Sequence, residues 1–188
     1  DFMMFERDLP GENSMGFNNT GISDQVPLEM CETMNGSWGF NIIDQNYKSV
    51  ETLIHTMVRA AGYGANFLLN TGPMPNGKIQ PENADTLMAI GNWLETYGDA
   101  LYGTREGPVK PQEWGATTSK GNLVYIHILD YRGRTIEIQG IDSSRLRSAV
   151  YFDDGSRADV KRNEGGISIT IPKKKLKPID TIIVLTLM

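Results

Sequence analysis

One stretch limits the fold more than any other part of the chain. Val50, Leu53, Ile54, Met57, Val58 and Ala61 fall at offsets 0, 3, 4, 7, 8 and 11, which trace one face of an α-helix. Ser49 stands where an N-cap is wanted. "GYG" at 62–64 stops the helix, and "ANFLLNTG" then reads as a short buried strand leaving on a Gly-Pro turn. After "MPNGKIQPEN" a second helix is predicted from Ala84 to Tyr97, with Leu87, Ile90 and Leu94 on its buried face. Helix, strand, helix with a strand lacking polar alternation marks an α/β layer with a parallel sheet, because such a strand is covered on both faces.

Residues 109–188 change character. "LVYIHILDY", "RTIEIQGI", "RSAVYFDDG", "ISITIP" and "DTIIVLTL" are β-rich and are separated by the turn signals "YRGR", "DDGS" and "NEGG". Strands at that spacing suggest a small antiparallel sandwich. The fold class expected is therefore α/β plus all-β, with "GTREGPVKPQ" at the junction and domains spanning 1–106 and 107–188. One or two strands and two helices cannot close a parallel sheet. The first part is thus expected to be the tail of a larger domain, and a chain opening at Asp1 is expected to have its partner segment upstream.

Composition removes several function classes. The net charge of −5 and the lack of a basic stripe argue against nucleic-acid binding. The one basic run, "PKKKLK", reads as a solvated turn or an edge-strand guard. No stretch reaches the roughly 20 apolar residues of a membrane span. A single cysteine, Cys31, excludes an internal disulfide, and only two histidines, His55 and His127, leave little material for a metal site or a His-based triad. No cofactor is expected.

The acids of the irregular first zone carry more interest. Glu6, Asp8, Glu12, Asp24, Glu29 and Glu32 all precede the first helix. Carboxylates beside the carboxyl ends of parallel strands are held by a rigid sheet, and apolar surroundings can make such a group a proton donor near neutral pH. "NGSWGF" offers Trp38 and Phe40 among small residues, suited to packing against a sugar face or a methyl group, or simply to a core. Asn70 follows the buried strand directly, where it either supports a site or caps the Thr71–Gly72 turn. Asn18-Asn19-Thr20 and Asn35-Gly36-Ser37 match the glycosylation sequon, a pattern common by chance.

Several of these segments in order, "PLEMCETMNGSWGFN", "NFLLNTGPMPNGKIQPE" and "IGNWLETYGDALYGT", resemble the carboxyl-terminal half of glycoside hydrolase family 29, the retaining α-L-fucosidases. The resemblance runs from Asp1 to about Tyr102 and continues more loosely beyond. It implies the distal part of a (β/α)8-like barrel followed by a β-sandwich, acting on terminal α-linked L-fucose of oligosaccharides or glycoconjugates. It also implies an Asp nucleophile on an earlier strand, in an upstream segment. For the acid/base, "DFMMFE" points to Glu6 and "PLEMC" to Glu29, with Leu28 standing where the family pattern has Trp; Glu6 is preferred for its setting. Trp38 matches an aromatic that packs near the fucose methyl, and Arg7 and Asp8 either orient Glu6 or pair at the surface. A non-catalytic carbohydrate-binding module, or a glycosidase for a neighbouring sugar such as galactose, are the alternatives. Family habit implies secretion, periplasm or lysosome; lack of disulfides and an acidic composition favour a bacterial secreted or periplasmic setting.

Overall fold

The computed structural model describes residues 1–16, 18, 20–133 and 135–188. Asn19 of the first sequon, Phe17 of the long early loop and Arg134 of the "YRGR" turn lie outside the described residues. The chain divides into two compact units, Asp1–Ala60 with Gly64–Asp99, and Ala61–Tyr63 with Ala100–Met188.

The first unit contains a three-stranded parallel sheet in the order β1 (Met3–Glu6), β2 (Leu28–Thr33), β3 (Ala65–Asn70). One or two strands were expected, and "DFMMFE" belongs to the zone read as irregular. Strands β1 and β2 escape periodicity analysis because they are only four and six residues long. Helix α1 (Val50–Gly62) forms where its apolar spacing predicts, and the hydroxyl of Ser49 accepts from the backbone N–H of Thr52 at 3.0 Å as its cap. Helix α2 (Pro81–Tyr97) starts three residues before the predicted Ala84. Pro81 occupies its first turn, where the missing N–H has no intrahelical partner to lose. The face it buries carries Asn83, Ile90 and Trp93, whereas Leu87 and Leu94 are half-buried.

The two sheet faces differ. Phe5, Leu28, Met30 and Ala65 are buried together with Ala60 of α1. Register and the alternation of side chains put Met4, Glu6, Glu29, Cys31, Asn66 and Leu68 on the opposite face. There Met4 is 48% and Leu68 44% exposed.

The second unit is all-β. Strands β4 (Arg105–Glu106), β5 (Gly115–Lys120), β6 (Leu123–Ile128), β7 (Ile136–Gln139), β8 (Leu146–Tyr151), β9 (Asp159–Asn163), β10 (Gly166–Thr170) and β11 (Thr181–Leu187) form two antiparallel sheets. Their orders are β4-β5-β6-β11-β8 and β7-β10-β9. Val124, Ile126, Ile128, Ile183 and Leu185 of the first sheet share one buried cluster with Ile136, Ile138, Ile167 and Ile169 of the second. Strand β5 ("GATTSK") was missed because it is polar, yet Thr117 and Thr118 are fully buried and donate their hydroxyls to the carbonyls of Val109 and Ala100. "PKKKLK" contains one turn of 3-10 helix at Lys173–Lys175. Lys175 pairs with Asp154 and Lys177 with Asp153, so the run is tied to the turn after β8.

Candidate active site

Three strand ends converge. Glu6 is the last residue of β1, Asn70 the last of β3, and the Asn35–Phe40 loop follows β2. Carboxyl ends of parallel strands are where such sheets place chemistry, since the loops there are mounted on a rigid layer.

Glu6 is half-buried on the open face, in register with Cys31. Glu29 lies on the same face two residues earlier along β2, in register with Met4. The two glutamates are therefore diagonal neighbours, about 7–8 Å apart between backbones, with Glu29 deeper along the strand. Cys31 is nearly buried next to both. Burial and then the charges of Glu6 and Glu29 push its thiol above the usual range, which makes it a poor nucleophile.

The segment after Glu6 is organised by Asp8, which is buried. Its carboxylate accepts from the backbone N–H of Ser14 at 2.8 Å, from the Ser14 hydroxyl, and from the side-chain amide of Asn18 at 2.7 Å. Burial opposes its charge, but these hydrogen bonds outweigh it and hold the carboxyl below the ordinary range. Arg7, between the two acids, has φ of +61°, the one left-handed non-glycine among the described residues. That twist sends its guanidinium to the loop after β2. One terminal nitrogen donates to the carbonyl of Gly36 at 2.8 Å, and the group lies over the Trp38 ring, 5.2 Å from its centre. Arg7 thus contacts the aromatic loop, beyond the two sequence alternatives of orienting Glu6 or pairing at the surface.

Trp38 is 36% exposed. Its loop is built by two side chains. Asp44 accepts from the Ser37 hydroxyl at 2.8 Å and from the backbone N–H of Asn46 at 3.1 Å, which keeps its carboxyl below the ordinary range. Lys48 pairs with Glu32 at 3.2 Å and donates to the carbonyls of Thr33 and Asn35, satisfying the end of β2. Asn70 supports the loop from the third strand by donating to the carbonyl of Trp38. A Cβ on Gly72 would stand 2.3 Å from the backbone of Gly39 and Phe40, so only glycine lets the two loops approach this closely.

The structure accordingly brings Glu6, Trp38 and Asn70 to one end of the sheet and leaves Glu29 on the same face further down. Sequence reasoning singled out these four, but it missed the bonding role of Asn18, which stood out only as part of a sequon in a loop. No group of three or more metal-ligating side chains occurs among the described residues.

A sequence model described as alpha-L-fucosidase matches residues 1–99. The alpha-L-fucosidase of Dictyostelium discoideum is 27% identical over 157 residues, covering 80% of this chain and 32% of that protein. Tissue alpha-L-fucosidase of Bos taurus is 33% identical over 107 residues, covering 55% of this chain and 23% of that one. Among solved structures, isoenzyme 1 of Paenibacillus thiaminolyticus alpha-L-fucosidase superposes with a TM-score of 0.82 at 31% identity, over 100% of this chain and 45% of its own. The Thermotoga maritima alpha-fucosidase does so with a TM-score of 0.77 at 29% identity, over 99% of this chain and 42% of its own. The chain therefore spans under half of the solved relatives, and about a quarter to a third of the curated ones. With 99 of its 188 residues matched, the chain belongs to the alpha-L-fucosidase family.

Proposed function

We propose that this chain is the distal part of a retaining exo-α-L-fucosidase: the last strands and helices of a (β/α)8-like barrel, followed by a β-sandwich. An upstream segment of the same protein supplies the preceding strands and an Asp nucleophile. The open face of the parallel sheet supports this, because parallel sheets are covered on both sides and Met4 and Leu68 here stand uncovered. Substrates are fucosylated oligosaccharides or glycoconjugates; the Thermotoga maritima relative has been seen with fucose bound.

In the proposed mechanism Glu6 is the acid/base. The upstream carboxylate attacks the anomeric carbon while Glu6 protonates the departing glycosidic oxygen; Glu6 then takes a proton from the water that releases fucose. Trp38 packs against the sugar near its methyl group. The observation carrying this reading is the position of Glu6 at the end of its strand, next to Arg7, whose guanidinium lies over Trp38, whereas Glu29 lies near the start of its strand.

Hydrolysis of p-nitrophenyl α-L-fucoside and of a fucosyl disaccharide by the full-length protein tests it. Glu6→Gln should lower the disaccharide rate by about 10²–10⁴ and Glu29→Gln by less than about tenfold. The reverse order moves the role to Glu29, and an unaffected rate in both variants removes both. Activity on galactosides in preference to fucosides would move the substrate class. The binding-module alternative, which would draw on aromatics of the β unit, finds little support: Tyr125 and Tyr151 are buried, and Trp114 and Tyr131 pack against the β core.

A further inference from the structure

Glu6 ends an edge strand, and the side chain that closes that edge comes from twelve residues further along. The backbone N–H groups of Met3 and Arg7 donate to Pro27 and Cys31 of the neighbouring chain segment. By the alternation of a strand, the N–H and C=O of Glu6 point the other way, to the free edge of β1. Asn18 meets both. Its Oδ1 accepts from the Glu6 N–H at 2.9 Å, and its Nδ2 donates to the Glu6 carbonyl at 2.9 Å. One side-chain amide thereby makes the pair of bonds that a further strand would make. The second hydrogen of Nδ2 goes to Asp8 at 2.7 Å, so both amide hydrogens are used, and a flipped amide would set its oxygen against the Glu6 carbonyl and the Asp8 carboxylate. The same bonds occupy the nitrogen that a glycan at this sequon would need.

We propose that Asn18, anchored by Asp8, is a positioning residue that fixes the backbone of Glu6 and so aims its carboxyl at the glycosidic oxygen. This rests on the assignment of Glu6 as acid/base. The clasp also implies that an upstream strand pairing with β1 stops short of Glu6, leaving that strand end open to substrate.

The test uses the full-length enzyme and two substrates: a fucosyl disaccharide, whose leaving hydroxyl needs a proton, and p-nitrophenyl α-L-fucoside, whose leaving group needs it far less. Asn18→Ala should lower kcat/KM, which reports the step in which the leaving group departs, by about tenfold or more on the disaccharide and by less than about threefold on the aryl fucoside. Asn18→Asp should behave alike, since a carboxylate there faces the Glu6 carbonyl and Asp8. If Asn18→Ala does not fold, Asn18→Gln, with its amide one methylene further out, gives the same readout. Equal losses on both substrates, or none, overturn the proposal while Glu6→Gln still shows the leaving-group dependence. A Glu6→Gln variant without that dependence overturns the assignment of Glu6 and the proposal together.

Discussion

The side-chain amide of Asn70 donates to the main-chain carbonyl of Trp38 at 2.6 Å, tying the end of β3 to the loop after β2 across 32 residues of sequence. Asn70 thus holds the loop that carries Trp38, a bond beyond the Thr71–Gly72 turn that follows it. The loop of Trp38 is held by Asn70 and its ring is covered on one side by the guanidinium of Arg7; in the proposed function the remaining exposed surface meets the sugar.

Asn70→Ala removes the support without touching Glu6. A hydrogen bond of this kind is worth about 1 kcal/mol, so binding should weaken by about fivefold. KM for p-nitrophenyl α-L-fucoside should rise by that amount in the full-length enzyme, with kcat within about twofold. A fall in kcat at unchanged KM would show that Trp38 does not serve ground-state binding.

In the β unit, His127 is fully buried, with Nδ1 2.7 Å from Asp180 and Nε2 3.2 Å from the Thr118 hydroxyl. The order of groups mimics a nucleophile–base–acid array. All three are sealed in the core, however, and the Thr118 hydroxyl donates to Ala100 at 2.6 Å. The array is structural. His127→Ala should destabilise this unit by about 3–5 kcal/mol by leaving Asp180 buried without its partner, measurable by urea denaturation. Loss of fucoside hydrolysis in a variant of unchanged stability would contradict a purely structural role.

Asp8 gives the Asn18 clasp a pH dependence. Its folded carboxyl lies below the ordinary value, which is about 3.9 in an unfolded chain. A depressed carboxyl contributes stability that is present above the unfolded value and lost as pH falls through the folded one. Asp8→Asn should therefore be less stable than wild type at pH 7, and the gap between the two should close below about pH 4. Thermal midpoints of the full-length protein at pH 7 and at about pH 3 measure it; a gap that widens on acidification would refute this role for Asp8.

Local pattern was enough for some of this architecture. Helix α1, its Ser49 cap and strand β3 were legible because periodicity and caps are written within a dozen residues. The strands β6, β7, β8, β10 and β11 were legible because apolar residues and turn signals alternate along them. Strands β5 and β9 were not: Thr-rich "GATTSK" hides its burial behind hydroxyls, and "DVKRN" is a charged edge strand. The buried face of α2 moved to Asn83, Ile90 and Trp93 because its neighbours, rather than its own pattern, choose which side is covered.

The site divides the same way. The sequence alone determined which residue types were available, nominating Glu6, Glu29, Trp38 and Asn70, and carried the family resemblance through its ordered motifs. Only the tertiary structure decided their relation. The parallel register of three strands, set by pairing between segments up to dozens of residues apart, put Glu6 at a strand end and Glu29 further down the same face. The path of the loop after β1 brought Asn18 to the free edge beside Glu6, and the end of β3 brought the Asn70 amide to the Trp38 carbonyl. Hydrogen bonds of that range depend on where backbones meet in space, and nothing in the local order of residues states it.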